Sequence, residues 1–393
     1  MNQHTRTLKI KLRLTPVQEH TLTYQASHAR YVYNWGLARR QEVYKATGKG
    51  LTYVQQSAEL TKLKAENRWL FDTYSDTLQH ALKDLETAYK NFFERRARYP
   101  RFKSRHKVRP SLKYAKGAVL ESNRIKLPKL GWVRCFNSHE HGAIKSVRVK
   151  QTAAGDWYAT CVTEFVPLPP KPVQTACGID LGLNSFAVIT DGETYHDVAP
   201  PKFFREYEAK LAKAQKKLSR CERGSNRRAK TKLAVAKLHK RIANLRANWL
   251  HQLSNRIVNE YDAVMLEDLN IKGMARGNLG KSLGDAALSE FVRQLEYKAA
   301  WRGKAVQKID RWFPSSKLHA ACGVVNKELE RGERLWLCDC GETIARDENA
   351  ALNILKEGLN VLSGSDSATL KPLRWGKTSN TLAPVGDARI PPL

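Results

Sequence analysis

Three carboxylates in the second half of the chain stand where a carboxylate could act on a substrate: Asp180, Glu267 and Asp347. Asp180 lies inside the apolar run Cys177–Ile189, broken only by a turn that Gly182 and Asn184 can make. An unpaired carboxylate buried there costs several kcal/mol or is neutralised, and a bound divalent cation is one way to keep it ionised. Glu267 ends a second apolar run, Ala263–Leu266, which puts it at the carboxyl edge of a sheet, where ligands of open α/β sheets collect. Asp347 opens an apolar-periodic helix. Singly, each has an ordinary reading: Asp180 as a turn cap, Asp347 as a helix-start acid. Together they supply the hard oxygen ligands that Mg²⁺ prefers, and a pair of such ions can activate a water and stabilise the leaving oxygen of a phosphodiester. The trio suggests a two-metal nuclease, with Asp180, Glu267 and Asp347 as catalytic and Mg²⁺-binding residues.

A second constellation, His319, Cys322, Cys338 and Cys340, has fifteen residues between its inner cysteines, close to a zinc-ribbon spacing. Here the pairs are H-x-x-C and C-x-C. Two sulfurs on a tetrahedral zinc lie about 3.8 Å apart, given bonds of about 2.3 Å. Residues i and i+2 of an extended strand are separated by roughly 6.7 Å, so Cys338 and Cys340 share an ion only if Asp339 is sharply bent. Two readings stay open: a four-ligand Zn²⁺ site of reduced affinity, or a peripheral finger packed by Phe313 and Trp336.

The elements that must position these groups follow from hydrophobic period. Leu8–Leu14 alternates apolar and basic residues, a half-exposed strand. Thr15, Pro16 and Gln18 form a helix start, and residues 16 to about 97 read as helices. The clearest is 76–95, with Leu78, Ala81, Leu82, Leu85, Ala88, Tyr89 and Phe92 as a core stripe. Short β segments between 118 and 162 suggest a small barrel that the first strand completes, with the helical part inserted, and the proline-rich stretch 167–172 reads as a stiff linker. Between the first two acid-bearing strands, 203–260 reads as a helical hairpin broken near Gly224. Its cations, Lys216, Lys217, Arg227 and Arg228 among them, far outnumber its acids, which favours a phosphate-backbone face over a merely solvated one. Residues 358–393 lack periodicity and read as a disordered tail.

Composition bounds the partners. The 393-residue chain carries a formal charge of +30, which points to a nucleic-acid partner. It shows neither an amphipathic anchor, a lipidation signal, an apolar leader nor a membrane-length run, so no membrane partner and a cytoplasmic location are expected. Seven cysteines, of which three cluster, fit a reducing compartment.

The order Asp180, Glu267, Asp347 resembles the RuvC-type nuclease of the TnpB proteins, which accompany insertion sequences and are similar to the nuclease half of type V CRISPR effectors. Tyr99–Lys103, Leu127–Gly131, Phe291–Trp301 and Phe313–Ser316 look like family blocks, and only the last few dozen residues lack a counterpart. The resemblance implies an α/β fold: an RNase H-like (RuvC) nuclease domain with a finger-like insertion, preceded by a β-barrel wedge domain with a helical recognition insertion. Its expected layout is wedge 1–14 and 98–175, recognition lobe 15–97, nuclease 176–310 and 342–357, and finger 311–341. The implied activity is RNA-guided cleavage of double-stranded DNA beside a short flanking motif, by two Mg²⁺ ions, with a transposon-end guide RNA as partner to a monomeric protein. Base pairing with the guide supplies most of the specificity in such enzymes. Tyr53, Ser57 and Gln79 are the candidate motif readers, because Gln pairs with the major-groove edge of adenine and Tyr contacts backbone or base; they could equally be ordinary surface polars. Two features depart from the family: the finger's ligand spacing, and Ala345 where an acid is frequent. An RNA-guided DNA-binding repressor without cleavage is the alternative, marked by loss of a carboxylate; a guide-free junction-resolving nuclease leaves the N-terminal half without a task.

Overall fold

A computed structural model describes residues 4–137, 139–270, 287–330 and 332–365. The chain divides into two compact units, 1–166 and 167–393.

In the first unit, β1 (His4–Arg13) buries Leu8, Ile10 and Leu12 on one face. Helix α1 (Pro16–Thr47) starts with a capping box, Gln18 N donating to Thr15 Oγ1 at 3.2 Å and Thr15 N to Gln18 Oε1 at 3.1 Å. Helices α2 (Tyr53–Glu66) and α3 (Ser75–Phe93) follow. Gly36 lets α1 meet α3, since a Cβ there would lie 2.7 Å from Leu82 Cδ2. The strands β2 (Ser111–Tyr114), β3 (Val119–Leu120), β4 (Arg124–Leu127), β5 (Gly131–Cys135), β6 (Ile144–Gln151) and β7 (Trp157–Phe165) join β1 in a seven-stranded sheet ordered β2-β6-β7-β1-β5-β4-β3. All its pairings are antiparallel, and β1 links its two parts. Helices and strands share one core: Leu22, Val32, Leu78 and Leu82 belong to the same buried cluster as Ile10, Ile125 and Val149. The helical stretch is therefore not a separately cored insertion. Each such buried side chain contributes roughly 1.5–3 kcal/mol of burial free energy.

The second unit begins with the proline-rich stretch, which is not a free linker. Leu168 N donates to Trp301 O (3.0 Å) and Lys171 N to Gly303 O (2.9 Å), with Gly303 at φ 66° giving Pro169 room. Strands β8 (Ala176–Leu181), β9 (Ala187–Thr190) and β10 (Tyr195–Val198) precede α4 (Phe203–Ser219) and α5 (Asn226–Glu260). Then come β11 (Ala263–Glu267), α6 (Leu288–Trp301), β12 (Ala305–Ile309), β13 (Leu335–Leu337), β14 (Thr343–Ala345) and α7 (Arg346–Ser365). The main sheet is mixed, ordered β10-β9-β8-β11-β12, with β8-β11 and β11-β12 parallel. Alternation decides its faces: Cys177, Ile179, Val264 and Leu266 pack with Leu253, Ile257, Phe291 and Leu295, whereas Ala176, Ala263 and Met265 pack with Ile354 and Leu355. The sheet is thus covered on both sides.

Two expected boundaries move. Helix α7 runs eight residues beyond 357, because Leu359 and Leu362 continue its apolar stripe and Gly358 is a close-packing residue whose Cβ would meet Met265 Cγ at 2.6 Å. The disordered-tail expectation fails for 358–365, and residues 366–393 lie outside the described residues. The finger does not end at 341: β13 pairs with β14, and the ribbon runs through Ala345 directly into α7. Among the described residues no helix is long and apolar enough to cross a membrane.

Candidate functional site

Asp180 and Glu267 stand at the carboxyl ends of adjacent parallel strands. The β8-β11 register pairs Met265 with Gly178 and Leu266 with Ile179, so one step further sets Glu267 beside Asp180, on strands about 4.8 Å apart. Asp347 reaches the same edge from the first turn of α7. Gly178 makes this approach possible, since a Cβ there would lie 2.3 Å from Ala351 O and 2.7 Å from Leu355 N. From Gly178 to Asp180 the strand advances roughly 6.7 Å, and from Ala351 back to Asp347 the helix advances about 6 Å, so the two acids come level.

The electrostatics match this placement. Burial, then Glu267 and Asp347, push the Asp180 carboxyl up to about 7, while Arg346 and Arg334 pull it back. Glu267 is also raised by burial and partly relieved by a hydrogen bond from Ser315. Asp347 accepts two hydrogen bonds from Arg334 Nη1, at 2.9 and 2.8 Å. Asp180, Asp347, Arg334 and Arg346 line one cleft, Glu267 lines its neighbour, and Ser316 and Arg346 border both. The three carboxylates thus neighbour one another, but Arg334 and Ser315 hold two of them. Arg334, Arg346, Ser315 and Gly178 escaped the sequence reading. A glycine inside an apolar strand was the available signal for the last, because it marks close backbone approach; the other three come together only through the fold.

Among the described residues, one group of His, Cys, Asp and Glu ligand atoms converges tightly: those of His319, Cys322, Cys338 and Cys340 lie within 4.8 Å of one another. His319 Nδ1 is 2.9 Å from Cys322 Sγ and 3.5 Å from Cys340 Sγ, and Cys322 Sγ is 3.5 Å from Cys338 Sγ. Extended-strand geometry does not apply to Cys338 and Cys340. They sit in the ribbon's turn, closed by Gly341 N to Cys338 O (2.8 Å) and Cys338 N to Glu342 O (2.9 Å), with Gly341 at φ 93°. A backbone hydrogen bond from Val324, aided by His319, lowers the Cys322 thiol toward the thiolate a metal takes. His319 Nε2 lies 3.2 Å from Glu342 Oε2, the outer partner a ligating imidazole commonly has. One nitrogen and three sulfurs at these separations fit a tetrahedral Zn²⁺. The packing around the finger also differs from expectation. Trp336 joins Leu329, Cys338 and Ile344 in a small finger core, but Phe313 packs on the sheet with Met265 and Ile354.

The remaining candidates fall on four helices, α2, α3, α4 and α5. Lys216, Lys217 and Arg227 are exposed around the α4-α5 turn. Arg228 instead donates Nη1 to Leu218 O and Cys221 O, both at 2.9 Å, and so caps the end of α4. Tyr53 and Ser57 share a face of α2, and Gln79 is exposed on α3, one turn from Lys83, whose Nζ lies 5.4 Å from the Tyr53 ring centre. The three belong to neighbouring surfaces of packed helices.

A two-unit α/β protein with acids gathered at one sheet edge and a Cys/His finger leading into the last helix is the class this geometry defines. Its fold matches a solved structure described as a Cas12f1-sgRNA-target DNA complex, with a TM-score of 0.53 and 13% identity over 90% of this chain and 99% of that one. The chain belongs to the TnpB family. It is 38% identical to a Streptomyces pristinaespiralis protein (95% of this chain, 94% of that one) and 35% identical to InsQ of Escherichia coli strain K12 (94% and 96%), both named "Putative RNA-guided DNA endonuclease". Family models match as "Probable transposase" at 159–278, "Cas12f1-like, TNB domain" at 289–354 and "Helix-turn-helix domain" at 1–49. Over the described residues of that last range the fold is one strand and one 32-residue helix.

Proposed function

We propose that the chain is an RNA-guided endonuclease that cuts double-stranded DNA beside a short flanking motif. The observation that carries the reading is the meeting of Asp180, Glu267 and Asp347 at one sheet edge, where burial, and after it the other two acids, pushes the first toward neutrality. Crowded carboxylates of this kind are relieved by divalent cations, and the all-oxygen donor set suits Mg²⁺. Asp180, Glu267 and Asp347 would hold two Mg²⁺ ions, which when bound would supply Lewis acidity for hydrolysis of a phosphodiester. The chain's own groups do the rest: the three acids bind and orient, and Arg334 and Arg346 bring positive charge to the cleft a phosphate must enter. The mixed sheet with helices on both faces supports an RNase H-like nuclease domain, and the first unit supports a wedge and recognition module for guide RNA and flanking DNA. Tyr53, Ser57 and Gln79 are the proposed motif readers, Lys216, Lys217 and Arg227 the proposed backbone contacts, and the finger is the proposed Zn²⁺ site.

Asp180→Ala, Glu267→Ala and Asp347→Ala test the assignment. Each is expected to abolish cleavage while guide-dependent DNA binding stays near wild type, as a mobility-shift assay run beside the cleavage assay reads. Substantial cutting by any one variant sinks that residue's assignment.

A further inference from the structure

The first unit holds a cation-lined cavity far in sequence from the three acids. Arg30 of α1, Lys103 and Arg109 of the irregular stretch before β2, Lys113 of β2 and Arg148 of β6 line it, facing the single carboxylate of Asp84 on α3. Asp84 is already taken: Arg148 Nη2 donates to its Oδ1 at 3.1 Å and Nη1 to its Oδ2 at 3.3 Å. Among the described residues, Arg30, Lys103, Arg109 and Lys113 have no carboxylate within ion-pair distance. A second cavity shares Arg30, Val108, Arg109 and Pro110 with the first and adds Arg105 and His106, so the positive lining continues outward.

These cations are placed by the fold. Asn34 of α1 clamps the irregular stretch through two hydrogen bonds, its Nδ2 donating to Lys103 O (3.0 Å) and its Oδ1 accepting from Lys103 N (2.8 Å). Lys103 Nζ lies 3.4 Å from the Tyr33 ring centre, a cation-π contact that fixes its head group. Burial, then Arg105, lowers Arg30; burial lowers Lys103, with Asp84 opposing and Arg148 adding to the effect. The fold thus gathers like charges and removes part of their hydration without supplying enough acids.

Two further groups lining this cavity lack a hydrogen-bond partner. Thr77 Oγ1 and His80 Nε2, from residues 2% and 8% exposed, have no hydrogen-bond partner; Asp76 Oδ1 lies 3.6 Å from His80 Nε2, beyond hydrogen-bond reach. A threonine hydroxyl and an imidazole N–H can both donate, as can every guanidinium and ammonium around them. A lining dominated by cationic donors, whose one carboxylate is already bonded, favours an acceptor-only anion. A metal cation needs acceptors, and a nucleobase edge needs both kinds. With a chain charge of +30, a phosphate carried by nucleic acid is the fitting anion.

We infer that this cavity seats a backbone phosphodiester of the bound nucleic acid, held by Arg30, Lys103, Arg109 and Lys113 with Thr77 and His80 at its floor. The inference rests on the nucleic-acid reading above and needs no cleavage.

The test uses the full-length protein with labelled co-purifying RNA in one arm, a DNA duplex in a second and inorganic phosphate alone in a third. Arg30→Gln with Arg109→Gln is expected to weaken binding in the RNA or the DNA arm at least tenfold and flatten its log-log salt slope by about 1.4 units for a single strand or about 1.8 for duplex DNA. The arm that responds names the strand. Thr77→Val is the companion variant, removing one donor at nearly constant volume. Binding is expected to fall severalfold with the salt slope unchanged, and thermal melting checks that the protein is folded. A merely structural orphan hydroxyl predicts instead a melting point equal or higher and binding unchanged. Wild-type slopes in both nucleic-acid arms for the double variant, with Thr77→Val binding as wild type, overturn the inference, as does a response confined to inorganic phosphate. Wild-type protein that binds neither RNA nor DNA refutes the proposed function itself.

Discussion

Asp180→Asn should stabilise the metal-free protein at alkaline pH. The Asp180 carboxyl is pushed up to about 7 in the folded chain from an ordinary 3.8, first by burial and then by Glu267 and Asp347. Because the folded state keeps a proton that the unfolded state has released, stability is full below about pH 4, falls as pH rises and levels off above about 7. At about 1.4 kcal/mol per unit, a shift of roughly three units has an upper bound of about 4 kcal/mol. Asp180 keeps some exposure and lines an open cleft, so solvent screening brings the working figure to about 2 kcal/mol. For a unit of this size that is a shift of about 4–8 °C. Thermal melts of wild type and Asp180→Asn, after chelator treatment, at about pH 5 and about pH 8.5, measure the difference. The variant should gain on wild type as pH rises, and added Mg²⁺ should raise the wild-type midpoint at alkaline pH while leaving the variant's nearly unmoved. A variant less stable than wild type at the higher pH, or a gap that does not change between the two, refutes the idea that Asp180 is a strained carboxylate awaiting a cation.

Neutralising Lys216, Lys217 and Arg227 together should weaken nucleic-acid binding across sequences and flatten the salt slope by close to one unit per lost duplex contact, read by anisotropy titration. Arg228→Gln should instead lower the melting temperature with less effect on the slope, because Arg228 caps α4. Gly178→Ala should be severely destabilising, by several kcal/mol, because Ala351 O would lie 2.3 Å from the new methyl; an equilibrium denaturant titration checks it. Purified protein should carry one zinc by elemental analysis, and His319→Ala or Cys340→Ser should lose it.

The acid-bearing strands, the hairpin with its break and the capping box of α1 were legible because each is local: period 2, period 3.6 and cap chemistry within four residues. The ligand turn was not. Strand geometry applied to C-x-C gave roughly 6.7 Å between side-chain origins, yet Cys338 and Cys340 occupy a turn whose shape depends on Gly341 and on hydrogen bonds to Glu342. The end of α7 was missed as well. The stretch from 358 reads as aperiodic, and only the packing of Gly358 on Met265, with Leu359 and Leu362 beside it, shows that the helix goes on. Arg334 and Asp347 are thirteen residues apart, and nothing local in either announces their pairing.

The finger is joined to the acid site through its own ribbon, and this bears on the proposed role of His319, Cys322, Cys338 and Cys340. The ribbon of β13 and β14 has three paired positions, Leu335 with Ala345, Trp336 with Ile344 and Leu337 with Thr343. Its closed end carries Cys338 and Cys340; its open end is flanked by Arg334 and Arg346, joined by Arg346 N to Arg334 O at 2.9 Å, with Asp347 next in line. Two nearly buried asparagines of α7 hold the base of the finger: Asn349 accepts from Ala320 N (2.8 Å) and donates to Leu318 O (2.6 Å), and Asn353 donates to Ser315 O (2.8 Å). A two-stranded ribbon this short is marginal alone in water. Its small core, Leu329, Trp336, Cys338 and Ile344, adds little, so an ion across His319, Cys322, Cys338 and Cys340 has much to contribute at its turn. At roughly 3.4 Å per residue the two ends of the ribbon are only about 7–10 Å apart. The turn that carries Cys338 and Cys340 and the Arg334 that pairs with Asp347 are thus the two ends of one short ribbon, which ties the sulfur cluster to the third acid through three paired positions.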